Sequence, residues 1–363
     1  MLRICFMNSI QMFGGGEIWL LTTIKELQKR GHQIILICRK GVPLEIRARE
    51  AGIRVHAIKL RGDFDPVTLF TLYRILRSFR TDILLTNMDK ELRLGGAAGH
   101  LAGVKGIISR RGSDYPLKNK WSYQWTYNHL ATGIIANSKS TKASLLKNCP
   151  WLNPERITVI YNGIDPERFA GPPDENVRKR WNIPADHLIF GFVGQLDERK
   201  GVMTLIKSFI HFSDVRPDST LLIVGTGPLE NPLKQMAVNC RGNVIFSGYL
   251  DHVDDIMKSI DVLVLPSIWE GFGIVLIEAM AAMKPVITTT VSNMPEIITH
   301  EQEGLLVEPH SPESLTAALF RIADNADLRR HLGAAGQKKV LKQFTQTRMI
   351  DEIEDYFRAR AQD

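Results

Sequence analysis

The chain has 363 residues, of which 44% are hydrophobic and 23% charged, the composition of a soluble globular protein too long for one ordinary core. No apolar run reaches the roughly 18 residues of a membrane span, and the N-terminus lacks the charged region and cleavage site of a signal peptide, so we expect a cytoplasmic protein. The cysteines, at positions 5, 38, 149 and 240, stand singly, which excludes a CxxC site and favours reduced thiols.

Charge is distributed unevenly between the two halves of the chain. Residues 1–170 contain 26 Lys and Arg against 13 Asp and Glu, a formal net charge of +13, whereas the remainder has a net charge of −6. A basic half joined to an acidic half indicates two domains with different partners. For the basic half the candidate partners are an anionic membrane surface, a phosphorylated glycan or nucleic acid, but no nucleic-acid-binding module is present and we expect no nucleic-acid partner.

In the first half, predicted strands alternate with predicted helices. The strands are LRICFMN, HQIILICRK, IRVHAIKL, TDILLTN, GIISRR and TGIIANS, and a glycine turn at 13–17 follows the first of them. Asp65 precedes Pro66 as the expected cap of a helix, so the DFD triplet at 63–65 is interpreted as a cap rather than a metal site. Apolar strands alternating with helices predict a parallel sheet covered on both faces.

The alternation pauses at residues 162–187, where prolines, glycines and mixed charge indicate a linker, and then restarts. The predicted strands are now LIFGFVG, TLLIVGTG, NVIFSGY, DVLVLPS and PVITTT, with helices from about Val202 and Leu229. We therefore expect two domains, residues 1–166 and 167–345, with a C-terminal helix at 346–363 completing the first. In doubly wound sheets, ligands bind at the carboxyl ends of the strands.

The segment WEGFGIVLIEAM at 269–280 places two carboxylates, Glu270 and Glu278, on an otherwise apolar run. The helix expected from about Gly273 is apolar nearly all round, and a buried carboxylate needs hydrogen-bond partners. Vicinal hydroxyls of a ligand would supply them, and the amides of 272–274 at the helix start would favour an anion. This layout fits a nucleotide sugar, with Glu278 on the ribose and Glu270 on the donor sugar. The alternative is a buried glutamate satisfied by the backbone or by a distant arginine.

The stretch EGFGIVLIE resembles the E-x7-E motif of retaining nucleotide-sugar glycosyltransferases of family four. Four further segments resemble that family in the same order: GGGE at 14–17, VIYNGID at 159–165, FVGQLDERKG at 192–201 and IVGTGPL at 223–229. The resemblance covers nearly the whole chain. It implies an α/β protein of the GT-B fold, in which two Rossmann-like doubly wound domains face a cleft.

The resemblance also implies roles for single residues. Arg199 and Lys200 would hold the diphosphate leaving group and are, with Glu270, the expected catalytic residues. Nucleotide-sugar binding is expected at Gly15, Gly16, Gly227, Tyr249, Leu250, Gly271, Phe272, Gly273, Ile274 and Glu278. Gln195 stands where the family usually has an arginine, so one phosphate contact is lost or replaced. The resemblance implies that the reaction needs no metal and no cofactor besides the donor.

Many relatives carry a histidine in the loop after the strand that reads GIISRR here. This chain places Arg110 or Arg111 at that point. We expect these two arginines to contact an anionic acceptor, with the donor as the other candidate. The alternative is that both are ordinary surface arginines.

The implied reaction is transfer of a sugar, with retention of configuration, from a nucleoside-diphosphate sugar to a hydroxyl of a glycolipid or a cell-surface glycan such as lipopolysaccharide. Alternatives are a transferase for a small soluble acceptor, a sugar phosphorylase of similar fold, and a non-catalytic sugar-nucleotide-binding protein. The segment at 115–130 interleaves lysines with aromatic residues. It predicts peripheral contact with an anionic inner membrane face, or else a helix packed into its own domain.

Overall fold

The computed structural model describes residues 1–59, 62, 65–173 and 175–362, with Glu175 described by its backbone alone. The chain divides into two compact units, Met1–Asn162 with Thr347–Asp363, and Gly163–Gln346. The sequence analysis placed the first boundary four residues later, after residue 166, and the second one residue earlier, after residue 345. Of the DFD triplet, residues 63 and 64 lie outside the described part. Asp65 accepts hydrogen bonds from the amides of Val67 and Thr68, as expected for a helix cap.

Unit 1 is a parallel sheet of seven strands in the order β3-β2-β1-β4-β5-β6-β7. Its strands are β1 (Arg3–Asn8), β2 (Gln33–Arg39), β3 (Arg54–Ile58), β4 (Ile83–Thr86), β5 (Gly106–Arg111), β6 (Gly133–Ala136) and β7 (Ile157–Val159). Its helices are α1 (Gly15–Lys29), α2 (Pro43–Glu50), α3 (Pro66–Phe79), α4 (Asp89–Ala102), α5 (Trp121–His129) and α6 (Lys139–Asn148). The strand order reverses between β1 and β4, which is the point where doubly wound sheets bind ligands.

Unit 2 is a parallel sheet of six strands in the order β10-β9-β8-β11-β12-β13. Its strands are β8 (Leu188–Val193), β9 (Ser219–Val224), β10 (Asn243–Gly248), β11 (Val262–Leu265), β12 (Val286–Thr289) and β13 (Gly304–Val307). Its helices are α7 (Glu175–Arg180), α8 (Val202–Val215), α9 (Glu230–Ala237), α10 (Asp254–Ser259), α11 (Ile274–Ala281), α12 (Met294–Ile297), α13 (Pro312–Ala323) and α14 (Ala326–Gln343). Here the order reverses between β8 and β11.

The last helix, α15 (Gln346–Gln362), packs into unit 1. Its apolar side supplies four buried side chains to the core on one face of the seven-stranded sheet: Met349, Ile350, Ile353 and Phe357. The ring of Phe357 meets that of Phe6 on β1 edge to face, with centroids 6.4 Å apart. The C-terminus therefore belongs to the fold of the first unit.

The structure adds two strands that the sequence reading missed, β7 in unit 1 and β13 in unit 2. Both are short edge strands of three and four residues, so neither gives a clear periodic signal. It also corrects the glycine turn after β1, because α1 begins at Gly15. Gly15 and Gly16 thus form the first turn of a helix rather than a loop. The described helices include none that is long and apolar enough to span a bilayer.

Candidate active site

The carboxyl edge of the unit 2 sheet is built from loops that hydrogen-bond to one another. The amide of Ile268, after β11, donates to Arg199 O after β8 at 2.7 Å. The amide of Leu229, after β9, donates to Leu196 O at 3.0 Å, and the amide of Gly225 donates to Gly248 O, at the end of β10, at 2.8 Å. The predicted segments 194–201, 223–229, 248–251 and 266–274 therefore form one connected edge.

Two of the predicted glycines are required by this close approach. A Cβ on Gly227 would lie 2.4 Å from Leu196 O, which is too short for any side chain. Gly273 has φ +78°, in the left-handed region that favours glycine, and it caps the N-terminus of α11. Their backbone role follows from the fold whether or not they touch a ligand.

Lys200 and Glu270 form an ion pair, with the lysine Nζ on Glu270 Oε2. The two side chains are only 16% and 10% exposed. Ser267 Oγ donates to the same carboxylate oxygen at 3.3 Å, and the amide of Gly271 donates to Oε1 at 3.0 Å. The structure thus brings two of the three predicted catalytic residues together and fixes the carboxylate in one orientation.

Arg199 is held differently from Lys200. Its Nη2 donates to Asp197 Oδ2 at 2.6 Å and to Gln195 Oε1 at 3.2 Å, and its side chain is half exposed. The guanidinium lies 5.7 Å from the ring of Trp269. Gln195 therefore supports Arg199 and carries no positive charge of its own.

Glu278 lies on α11 and is half-buried. Its carboxyl group makes no hydrogen bond to any residue in the described part of the chain. Burial raises its pKa to about 7, although Arg168 acts in the opposite direction. Arg168 is itself paired with Asp254, at 2.7 Å. The distant arginine that the sequence left open as an alternative is therefore Arg168, 110 positions away, although the carboxyl group makes no hydrogen bond to it or to any other described residue.

The start of α11 contributes backbone rather than side chains. The Phe272 ring is buried against Phe344, with centroids 6.1 Å apart, and Asn293 Nδ2 donates to Phe272 O at 2.9 Å. The amide of Glu270 donates to Ser292 Oγ at 3.3 Å. The sequence reading missed Ser267, Ser292 and Asn293, which hold this loop. Their signal was available, because all three follow the carboxyl ends of strands β11 and β12.

Tyr249 and Leu250 follow β10 at the same edge. Tyr249 is 59% exposed, and its hydroxyl lies 3.4 Å from Asp251 Oδ1. Leu250 is half-buried. Their position after a strand at the connected edge is the one predicted, and their part in base binding stays a prediction.

In unit 1, the first turn of α1 follows the carboxyl end of β1. The buried Glu17 accepts hydrogen bonds from the Gly14 amide and from Asn8 Nδ2, each at 3.0 Å. Gly16 has open space where a Cβ would stand. The helix start is therefore ordered by its own glutamate, and its first amides have no acceptor within the helix.

Arg110 and Arg111 are both buried, so the interpretation of these residues as surface arginines is wrong. Arg111 pairs with Asp89 at 3.0 Å and donates to Tyr115 O at 2.9 Å. Arg110 stacks on the ring of Trp19 at 3.6 Å and donates to Asn162 Oδ1 at 3.2 Å. The two arginines therefore occupy different surroundings, and their part in acceptor binding stays a prediction.

The described residues contain no cluster of three His, Cys, Asp or Glu side chains able to hold a metal ion. The carboxylates at the unit 2 edge are instead paired with a lysine or left with a raised pKa. What the edge offers a ligand is a set of cations, a helix start and two carboxylates, which together suit an anion flanked by hydroxyl groups.

Two family models match the chain. The model described as Glycosyl transferases group 1 matches residues 173–339, and the model described as Glycosyltransferase Family 4 matches residues 13–168. The two matches correspond closely to the two structural units.

Three relatives illustrate the similarity. An Escherichia coli UDP-Gal:alpha-D-GlcNAc-diphosphoundecaprenol alpha-1,3-galactosyltransferase is 26% identical over 98% of this chain and 96% of its own. The capsular polysaccharide biosynthesis glycosyltransferase CapM of Staphylococcus aureus is 27% identical, covering 92% of each chain. An uncharacterised glycosyltransferase of Methanocaldococcus jannaschii is 31% identical over 69% of this chain and 68% of its own.

Among solved structures, that of Anabaena HepE in complex with UDP-glucose superimposes with a TM-score of 0.87, at 19% identity, over 99% of this chain and 100% of HepE. At that identity the match speaks for the fold, which is the two-domain GT-B architecture. With both family models in their expected order and a relative above 30% identity, the chain belongs to the group 1 glycosyltransferases of family 4.

Proposed function

We propose that the protein transfers a sugar, with retention of configuration, from a nucleoside-diphosphate sugar to a hydroxyl of a glycolipid or cell-surface glycan. The observation that carries the proposal is the unit 2 edge, where Lys200 and Glu270 pair just before the start of α11 and Glu278 lies further along that helix. Lys200 and Arg199 would stabilise the diphosphate as the glycosidic bond breaks. Glu270 would orient the donor sugar and Glu278 the ribose.

Glu278 supports the ribose assignment on physical grounds. Its half-buried carboxyl group has no hydrogen-bond partner among the described residues, and two vicinal hydroxyls would supply two donors to it. A solved neighbour, HepE, was crystallised with UDP-glucose. UDP-sugars are therefore the first donors to test.

The acceptor class rests on the relatives and on unit 1. The E. coli relative is named for a diphosphoundecaprenol-linked sugar, and the S. aureus relative for capsular polysaccharide. Unit 1 carries the excess of positive charge. In its helix α5, Trp121 is 80% exposed and Trp125 is 51% exposed. Tyr127 of the same helix is fully buried, so α5 packs one side into its domain and presents indole rings on the other. Indoles beside Lys118 and Lys120 suit a peripheral contact with an anionic headgroup layer.

We propose a mechanism that uses these groups and no metal. The leaving phosphate oxygen would take the proton of the acceptor hydroxyl on the same face of the sugar. The side chains would contribute positioning and charge stabilisation.

The test is a panel of nucleotide sugars. The donor class is identified by the nucleotide base whose sugar conjugates raise the melting temperature of the protein. The selected donor is then incubated with GlcNAc-α-diphosphate carrying an alkyl chain, and with lipopolysaccharide and capsular fragments. Sugar transfer to any of these supports the proposal. Transfer only to a small soluble acceptor, or donor binding without turnover, would favour the alternatives.

A further inference from the structure

The loop after β12 is bonded to the main chain of the loop that carries Glu270. The hydroxyl of Ser292 accepts a hydrogen bond from the Glu270 amide at 3.3 Å. The next residue, Asn293, donates from Nδ2 to Phe272 O at 2.9 Å. Two consecutive side chains of one loop thus hold the main chain of the other, and we call the side chains of Ser292 and Asn293 the clamp.

Both members of the clamp have a feature that destabilises the fold. Ser292 has φ +50°, in the left-handed region, where any residue other than glycine is strained. Asn293 is 1% exposed, and its Oδ1 atom is buried with no hydrogen-bond partner among the described residues. Strained and unsatisfied residues concentrate at functional sites, where the surrounding structure holds them in place. Here both lie directly beside the segment that carries Glu270.

The clamp restrains Glu270 at the opposite end from its other partners. Lys200, Ser267 and the Gly271 amide all bond to the carboxylate oxygens, where a ligand would compete with them. The bond between the Glu270 amide and Ser292 involves no carboxylate atom. It can therefore keep the main chain in place while the carboxylate exchanges a protein partner for a sugar hydroxyl.

We propose that Ser292 is a positioning residue for Glu270, and that its hydroxyl fixes the main chain from which the carboxylate reaches the donor sugar. This role rests on the proposed function, whereas the restraint of the loop does not. Because Ser292 acts through Glu270, loss of its hydroxyl should lower kcat for transfer. The affinity for UDP, which lacks the sugar, should stay unchanged.

Three substitutions separate the hydroxyl of Ser292 from its strained backbone. Ser292→Gly removes both the hydroxyl and the strain, whereas Ser292→Ala removes the hydroxyl and keeps the strain. Ser292→Thr keeps a hydroxyl but adds a β-branched side chain, which the left-handed region disfavours. The glycine variant should therefore melt above the alanine variant, and the threonine variant should melt below the wild type.

Transfer should follow the hydroxyl and not the melting temperature. With the donor selected by the thermal panel, kcat should fall at least roughly tenfold in both Ser292→Gly and Ser292→Ala, as expected for a misplaced group. In Ser292→Thr, kcat should stay within about threefold of the wild type, although this variant is less stable. Calorimetric titration should give all three variants the UDP affinity of the wild type.

Hydrogen–deuterium exchange of the free protein measures the restraint without any activity. Loss of the hydroxyl leaves the Glu270 amide without its acceptor, so deuterium uptake in residues 268–274 should rise in Ser292→Gly and Ser292→Ala but not in Ser292→Thr. The matched control is His310→Gly, because His310 is an exposed residue of unit 2 that also has a left-handed backbone, with φ +60°. This substitution should leave uptake in residues 268–274 and turnover unchanged.

The proposal would be overturned by turnover that follows the melting temperature, with Ser292→Gly as active as the wild type. Loss of UDP affinity in parallel with turnover would also overturn it, and so would unchanged deuterium uptake in the glycine and alanine variants. If uptake rises as expected but the wild type turns over no nucleotide sugar, the restraint of Glu270 stands and the proposed function fails.

Discussion

Lys200 and Glu270 are each other's ion-pair partner, although 70 positions separate them in the chain. The pair joins the loop after β8 to the loop after β11 across the point where the strand order of unit 2 reverses. In the proposed reaction the lysine faces a diphosphate and the glutamate a sugar hydroxyl. In the free protein both groups are thus already paired and oriented.

Replacing Lys200 with Met should lower turnover by roughly 10²-fold or more, as loss of a transition-state charge partner does. The matched control is Lys339→Met. Lys339 pairs with Glu303 at similar exposure, 13% and 11%, but this pair joins α14 to the turn before β13. Both variants should lose stability, since each leaves a carboxylate unpaired, and only Lys200→Met should lose activity. Steady-state kinetics and melting temperatures check this, and equal turnover in the two variants would refute a catalytic role.

Substitutions of Glu270 and Glu278 should have different effects, because Glu270 is assigned to the donor sugar and Glu278 to the nucleotide. Glu278→Gln should weaken UDP binding by roughly 1–3 kcal/mol, the scale of a lost charged hydrogen bond. Glu270→Gln should leave UDP binding nearly unchanged and impair transfer. Calorimetric titration with UDP, alongside a transfer assay, measures both. Wild-type UDP affinity in both variants would remove the ribose assignment.

The raised pKa of Glu278 predicts a pH-dependent affinity. In the proposed site the carboxylate would accept hydrogen bonds from two ribose hydroxyls, and protonation below a pKa of about 7 would remove part of this capacity. UDP-glucose affinity should therefore fall by up to roughly tenfold for each pH unit below 7. Glu278→Gln should show no such dependence. A wild-type affinity that is flat between pH 5 and 8, about the range over which this group titrates, would contradict the assignment.

The raised pKa of Glu278 also predicts how the stability of the fold depends on pH. The folded pKa lies above the unfolded value, so the protonated form stabilises the fold at low pH, and that contribution is lost as pH rises through about 7. Glu278→Gln should melt above the wild type at high pH, and the difference should shrink toward pH 5, below the folded pKa. Thermal scans at matched pH values measure it.

Membrane contact should depend on the exposed side of α5. Replacing Lys118, Lys120, Trp121 and Trp125 together should reduce co-sedimentation with anionic vesicles, and wild-type binding should fall with salt. Val238→Ser, at a position 83% exposed on unit 2, serves as the control for loss of an exposed apolar side chain. If the wild type co-sediments no more with anionic vesicles than with neutral ones, the result would favour a soluble acceptor.

Much of this architecture was readable from the sequence because it depends on local patterns. Near-continuous apolar runs alternating with helical segments predicted eleven of the thirteen strands, and the helix starts at Val202 and after Gly273 fell where predicted. The glycine at 273 was predictable for the same reason, since its left-handed backbone belongs to its own loop, whereas Gly227 is constrained by Leu196 in the loop after another strand.

Long-range partners were not readable in this way. Nothing near Glu278 in the sequence points to Arg168, and nothing near Arg111 points to Asp89 and Tyr127. A sequence does not distinguish two adjacent arginines on one strand. Only the structure shows that α1 packs on one face of the sheet and α5 on the other, so that the two guanidinium groups have different neighbours. Ser292 and Asn293 were overlooked because polar residues after a strand are ordinary in loops.

The central claim is retaining transfer without a metal, and the anomeric configuration of the first product tests it most directly. The wild type is incubated in chelator with the α-linked nucleotide sugar selected by the donor panel and an alkylated GlcNAc-α-diphosphate or the glycan acceptor that it accepts. Proton NMR of the fresh product then reads the new linkage. An α-linked product, formed at a rate that chelator leaves unchanged, is the predicted result. A β-linked product, or transfer abolished by chelator and restored by magnesium or manganese, would contradict the account.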